Sequence, residues 1–311
     1  MKVGSYHVAA IGLSLAVTAC AALGPGYVEV DDIHTDVAMP FIGTGFQAFV
    51  HTGNINYAGN YAPSQALLMV NAGTRVTRPA GSQFDFISVA AGEPIWLISA
   101  NQVPGQIFLG IQADYGLTAP EQMPASNTTN WKSWDPDGPG PAGTGRYVMF
   151  NVVAVRGPGH LSIWDNGIFG EVNVRVASAD GLDARDGLPQ FIRSHSHHNW
   201  AFTAPGYYEV DFQARTFLGP NSGPGTEVVS PIATFHFYVG SPTATLRIFA
   251  PGGDAILAWP DPSPGFQLQS SPSLTAPDWT PVLTAPVVVG EEKQVRWGSA
   301  SGSHFFRLRR P

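Results

Sequence analysis

Glycine and proline punctuate this chain from end to end, with 35 Gly and 27 Pro in 311 residues. Proline removes a backbone donor and clashes inside a helix, and glycine weakens one. No stretch joins helix-forming residues to a sustained 3.6-residue apolar period, and charged residues are only 13% of the chain. That combination restricts the backbone to short strands separated by turns. The chain reads as all-β and is long enough for one large or two ordinary domains.

Strand patterns fall into two blocks. The first spans residues 23–240, with apolar or alternating runs at 27–30, 46–51, 65–70, 94–99, 107–111, 147–156, 160–164, 172–177, 207–214 and 232–239. A loop at 118–145, rich in Pro, Gly, Asn and Asp, interrupts it. A connection of that length inside a compact domain is usually functional or mobile. The expected fold is a large β-sandwich of immunoglobulin or jelly-roll type. Residues 241–311 hold six shorter runs at turn-separated intervals, which describes a small sandwich of the fibronectin type III kind.

The chain opens with Lys2 and an apolar run from Val8 to Val17, too short to span a bilayer as a helix. Residues 1–22 are read as a secretion signal. Two cleavage readings stay open. Val17-Thr18-Ala19-Cys20 resembles a lipobox that would leave Cys20 lipidated, whereas Ala19-Cys20-Ala21 fits small-x-small cleavage that would discard it. Either way the body holds no second cysteine and no disulfide. Residues 23–240 carry 9 Lys+Arg against 18 Asp+Glu, a net −9, and residues 241–311 carry 6 against 5, a net +1. An acidic body argues against nucleic acid and anionic membranes and mildly favours cations. No later run is long and apolar enough for a transmembrane span.

The densest chemistry lies at Ser194-His195-Ser196-His197-His198-Asn199-Trp200. Strand residues two apart share a face, so His195 and His197 point the same way and make half of a transition-metal site. His198 then faces the opposite side. Pro205-Gly206 follows as a turn, and Tyr208 fits a tyrosine corner whose hydroxyl bonds back to upstream backbone.

The large block resembles the bacterial surface-anchored family first described in actinobacteria, also called choice-of-anchor M domains. The likeness rests on His195-Ser196-His197-His198-Asn199-Trp200-Ala201-Phe202-Thr203-Ala204-Pro205-Gly206-Tyr207-Tyr208. Further matches are Gly26-Tyr27-Val28-Glu29-Val30, Ala66-Leu67-Leu68, Arg75 to Gly81, Pro94-Ile95-Trp96, Phe108-Leu109-Gly110 and Gly157-Pro158-Gly159-His160-Leu161-Ser162. The resemblance implies secretion or wall anchoring and association with metal-type ABC transporters. It makes zinc or manganese the suspected cargo. Two departures thin the pattern: Ala48-Phe49-Val50-His51 keeps one histidine of an expected pair, and Tyr27 replaces an opening histidine. The C-terminal block resembles a short domain at the ends of secreted proteins in verrucomicrobia-like bacteria, carried by Leu257-Ala258-Trp259-Pro260, Gly265 to Ser271, Trp279-Thr280-Pro281-Val282 and Phe305 to Arg309.

The expected metal ligands are therefore His51, His160, His195 and His197, with zinc or another divalent transition metal as the ion. Asp165 or Glu209 could complete the shell. The competing reading keeps His195, His197 and Asn199 in a buried polar network with Trp200 in the core. His34, His236 and His304 read as solvated or ordinary strand residues. No H-E-x-x-H, G-x-S-x-G or P-loop pattern occurs, so no catalytic residue is assigned and the chain is not read as an enzyme. A hydrolase built from scattered histidines is the minor alternative. Asp135-Pro136-Asp137-Gly138 reads as a solvated turn. The expected function is a secreted, envelope-associated metal-binding protein. Its partners would be metal ABC transporter components or surface glycans and proteins. The rival is a structural or adhesive surface protein using Trp131 and Trp134.

Overall fold

The computed structural model describes residues 22–310 apart from 25, 32, 43–44, 54–58, 114–146, 192–193, 219–225, 252 and 299–302. The proposed signal, Cys20, the Asp135–Gly138 turn, Trp131 and Trp134 lie outside the described residues. The regular structure of the rest is almost all β, with 53% strand against 5% helix, as the glycine and proline content predicts, arranged in several sheets with no barrel. Among the described residues no helix is long and apolar enough to cross a membrane.

Residues up to Val239 build three large sheets. A seven-stranded sheet is centred on the long Gly206–Leu218 strand, which pairs antiparallel with Tyr147–Arg156 and Ala233–Val239. One five-stranded sheet runs Val172–Ala177, Leu161–Asn166, Asn199–Phe202, Pro94–Ile98, Arg75–Thr77. The other runs His195–His197, Phe108–Gln112, His34–Ala38, Phe49–Thr52, Asn60–Tyr61. Inward-facing residues of all three meet in one core that includes Val37, Ile111, Phe150, Trp200, Phe212 and Phe237. Trp200 is fully buried, as the competing reading of the histidine stretch has it. A core of this size is the stabilising element of a chain without disulfides, at roughly 25 cal/mol per Å² of apolar surface buried.

Of the two local predictions, Gly206 keeps the positive φ but opens the Gly206–Leu218 strand instead of closing a type II turn, and the tyrosine corner is visible in full. Gly206 has φ of +133°, where a side chain would be strained, and a Cβ there would also lie 3.0 Å from Pro158 Cγ. Two residues on, the buried Tyr208 hydroxyl donates to the Ala204 carbonyl at 2.8 Å. This ties the strand entry to its turn.

Residues from Arg247 onward form two smaller sheets around Leu257, Trp259, Leu268 and Val295. They meet the larger unit through the Gly265 N–H, which donates to Glu29 Oε1 at 2.5 Å, and through Lys293, whose ammonium lies 5.1 Å from the Tyr27 ring centre.

Candidate functional site

The histidine-bearing sheet owes its site to register. His195–His197 is an edge strand whose sheet neighbour is Phe108–Gln112, with Gly110 opposite His197 and Gln112 opposite His195. On its other side Phe108–Gln112 pairs in parallel with His34–Ala38, placing Phe108 opposite His34 and Gly110 opposite Asp36. The next strand sets His51 opposite Asp36, and the last sets Asn60 opposite His51. Paired residues share a face. His197, Gly110, Asp36, His51 and Asn60 therefore form one row across five strands, with His34, Phe108, Gln112 and His195 beside it. The opposite face of the same sheet carries Val37, Val50, Leu109 and Ile111, all in the core.

Three imidazoles converge on this polar face. One ring nitrogen each from His34, His195 and His197 lies within 4.8 Å of the other two. The three rings are mutually inclined, with centroids 4.9 to 5.5 Å apart. His34 Nε2 and His197 Nε2 are 3.1 Å apart. Two imidazoles on a tetrahedral zinc, at about 2.0–2.1 Å each, would have nitrogens about 3.3 Å apart. The pair thus stands at close to ligand spacing. His34 Nδ1 donates to the Gly53 carbonyl at 3.2 Å, which fixes a tautomer with the Nε2 lone pair turned to its neighbours. Phe108 stacks on the His197 ring at 3.5 Å and 5°, holding its plane.

The electrostatics favour the neutral form of two of these rings, His197 and His34. Burial, then the neighbouring His34, lowers the His197 pKa to about 4. Burial also lowers the pKa of His34, reinforced by His195 and His51. A neutral imidazole is the metal-binding form, so little proton competition remains near pH 7.

The structure brings together two of the expected ligands, His195 and His197. It joins them to His34, which the sequence reading had left among ordinary residues. His51 and His160 lie outside the three-histidine group. His51 is buried, and its Nδ1 donates to Asn60 Oδ1 at 2.7 Å. His160 is exposed ahead of a strand in the other five-stranded sheet, where its backbone N–H donates to Thr203 Oγ1.

The expected carboxylates are engaged elsewhere. Glu209 and Asp211 hold Arg156, whose Nε donates to Glu209 at 2.8 Å. Asp165 accepts from Arg175 at 2.9 Å and from His198 Nδ1 at 2.5 Å. Burial pushes the Asp165 carboxyl up, but those two partners outweigh it and hold the group below the ordinary carboxylate range. His198 faces away from the site, as the strand alternation predicts, and its Nε2 meets Ser196 Oγ at 2.9 Å. Ser196 donates onward to Gln190 Oε1. This chain of bonds braces the underside of the strand that bears His195 and His197. Asn199 serves the scaffold, accepting from the Ala100 N–H at 3.2 Å and donating to the Trp164 carbonyl at 3.4 Å.

The missed residue had a local signal. His34-Thr35-Asp36-Val37 alternates ligand-type side chains with strand formers at the same two-residue spacing as His195-Ser196-His197. No protein-family model matches the chain, and no curated protein is significantly similar to it.

Proposed function

We propose that this is a secreted, envelope-associated protein that captures a divalent transition metal through His34, His195 and His197. One observation carries the reading: three imidazoles from two separate strands converge with their nitrogens within 4.8 Å. Histidine nitrogens without thiolates suit zinc, copper or nickel more than magnesium or calcium. The edge position supports capture and transfer, since His195 is exposed. The acidic body favours approach of cations, and the apolar leader supports export. Delivery to a metal transporter is the partner relation we infer, with the smaller C-terminal unit serving display at the surface.

The test is metal content by inductively coupled plasma mass spectrometry on untagged protein from residue 22 onward. A His195→Ala/His197→Ala variant is run in parallel. Near-stoichiometric zinc or a related ion, lost in a variant that keeps its circular dichroism spectrum, supports the reading. Protein that is metal-free and resists loading refutes it and leaves the histidines as structural groups.

A further inference from the structure

We propose that Ile168 and Phe169 form a lipid-contact tip that dips into a zwitterionic membrane surface. The proposal deepens the envelope-associated part of the reading above and is independent of the metal.

The tip follows from a tight hairpin. Leu161–Asn166 and Val172–Ala177 pair antiparallel, and Asn166 opposite Val172 is the last pair before the turn. The five residues between them are Gly167-Ile168-Phe169-Gly170-Glu171. Ile168 and Phe169 are 91% and 88% exposed, and among the described residues no other two adjacent large apolar side chains stand so open. Single exposed apolar residues are ordinary on a protein surface, but two in succession at the end of a hairpin form a patch.

The turn satisfies its own backbone. The Gly167 N–H donates to the Glu171 carbonyl at 2.8 Å, and the Gly170 N–H to the Gly167 carbonyl at 3.0 Å. The Phe169 N–H donates to Glu171 Oε2 at 2.9 Å. Water, or the carbonyls of a protein cleft, could serve these donors from outside. Hydrocarbon cannot, so a segment that enters it must bond its own donors. That requirement favours lipid over a protein cleft. Gly170, at φ of +88°, closes the turn where a side chain would be strained. Gly167 leaves room for the carboxylate, since a Cβ there would collide with Glu171 Oε2. The one charge of the five residues is thus folded back onto the backbone.

Charge names the kind of surface. Gly167 to Glu171 hold no Lys or Arg, and residues 23–240 carry 9 Lys+Arg against 18 Asp+Glu. Anionic lipid repels such a body, and zwitterionic lipid does not. The hairpin is also fastened to the histidine stretch. Asp165, on its first strand, accepts from His198 Nδ1 at 2.5 Å. The tip therefore holds the neighbouring His195–His197 strand near the membrane. A single apolar insertion of this size attaches weakly and reversibly.

The test is co-sedimentation of the chain from residue 22 onward with phosphatidylcholine vesicles at millimolar lipid. That chain lacks the apolar leader and Cys20, so neither can supply the binding. We expect reversible partitioning that Phe169→Ser lowers at least about tenfold, the worth of burying one large apolar side chain. Leu283→Ser, at an equally exposed position in the C-terminal unit, should leave it unchanged. Phosphatidylglycerol in the vesicles should weaken binding at low salt, and added salt should restore it. Ile168→Cys supplies the only thiol of this chain, and an environment-sensitive fluorophore attached there should shift to the blue on vesicles. A wild-type chain that does not sediment overturns the proposal and leaves the metal-capture reading standing. Undiminished binding by Phe169→Ser overturns it too, as does tighter binding to phosphatidylglycerol vesicles. Protein that resists metal loading but still partitions through its tip removes the metal reading and supports this one.

Discussion

The two faces of one five-stranded sheet are built on opposite chemical plans. One face presents Val37, Val50, Leu109 and Ile111 to the main core. The other presents His34, Asp36, His51, His195 and His197, and two of these, Asp36 and His51, are as fully buried as the core residues. Core side chains are interchangeable within limits of volume. A buried row of imidazoles and a carboxylate has no such freedom, because each polar atom needs a specific partner. The comparison separates what folds the chain from what the fold can hold.

The largest effect should come from the apolar face. Ile111→Ala removes a fully buried side chain and should cost about 2–5 kcal/mol in denaturant unfolding. Zinc affinity of the molecules still folded should be unchanged. If Ile111→Ala abolished binding without unfolding the chain, the two faces would not be separable. The reverse experiment is the His195→Ala/His197→Ala variant. It should lose more than about a hundredfold in zinc affinity, beyond the 10–100-fold typical of losing a supporting group. Its metal-free unfolding midpoint in urea should stay near that of the wild type. A collapse of stability would mean that the histidines hold the fold.

Acid sharpens the contrast further. His197 has a native pKa near 4, against about 6.5 in the unfolded chain. Between those values the unfolded chain binds the proton and the native chain does not. This contribution to stability is therefore fully present above pH 6.5 and is lost as the pH falls toward 4. A urea series across that range should show it, and His197→Gln should flatten the slope. The smallest effect belongs to Phe108→Leu, which removes the ring stacked on His197. We expect a loss of about 0.5–1.5 kcal/mol in stability and a zinc affinity reduced only a few-fold. Isothermal titration would check it, and an effect as large as that of the histidine pair would make Phe108 part of the binding machinery.

The all-β architecture was legible because proline and glycine act locally, wherever they stand. Strands such as Tyr147–Arg156 and Val172–Ala177 were legible down to their ends, since their apolar content and flanking turns lie within one window. The H-x-H pair was legible for the same reason. His34 was not. Its strand, His34–Ala38, offers only a short H-x-D alternation, which does not say which strand it will join. It also reaches the site through a parallel pairing with Phe108–Gln112, a neighbour over 70 residues away. No local window reports such a pairing. His51 shows the converse case. It lies on the correct face, yet one strand further from the edge, where Asn60 takes its Nδ1.

The edge strand has a kinetic consequence. His195–His197 is only three residues long and forms its ladder with Phe108–Gln112 alone among the described strands. Short edge segments detach in local openings far cheaper than global unfolding. When this one lifts, two of the three imidazoles leave together and the third stays behind on His34–Ala38. An ion would then be released in one concerted event, at a rate set by how often three residues peel from the sheet. The amide hydrogen of Ser196, which faces the ladder, would exchange on that same clock.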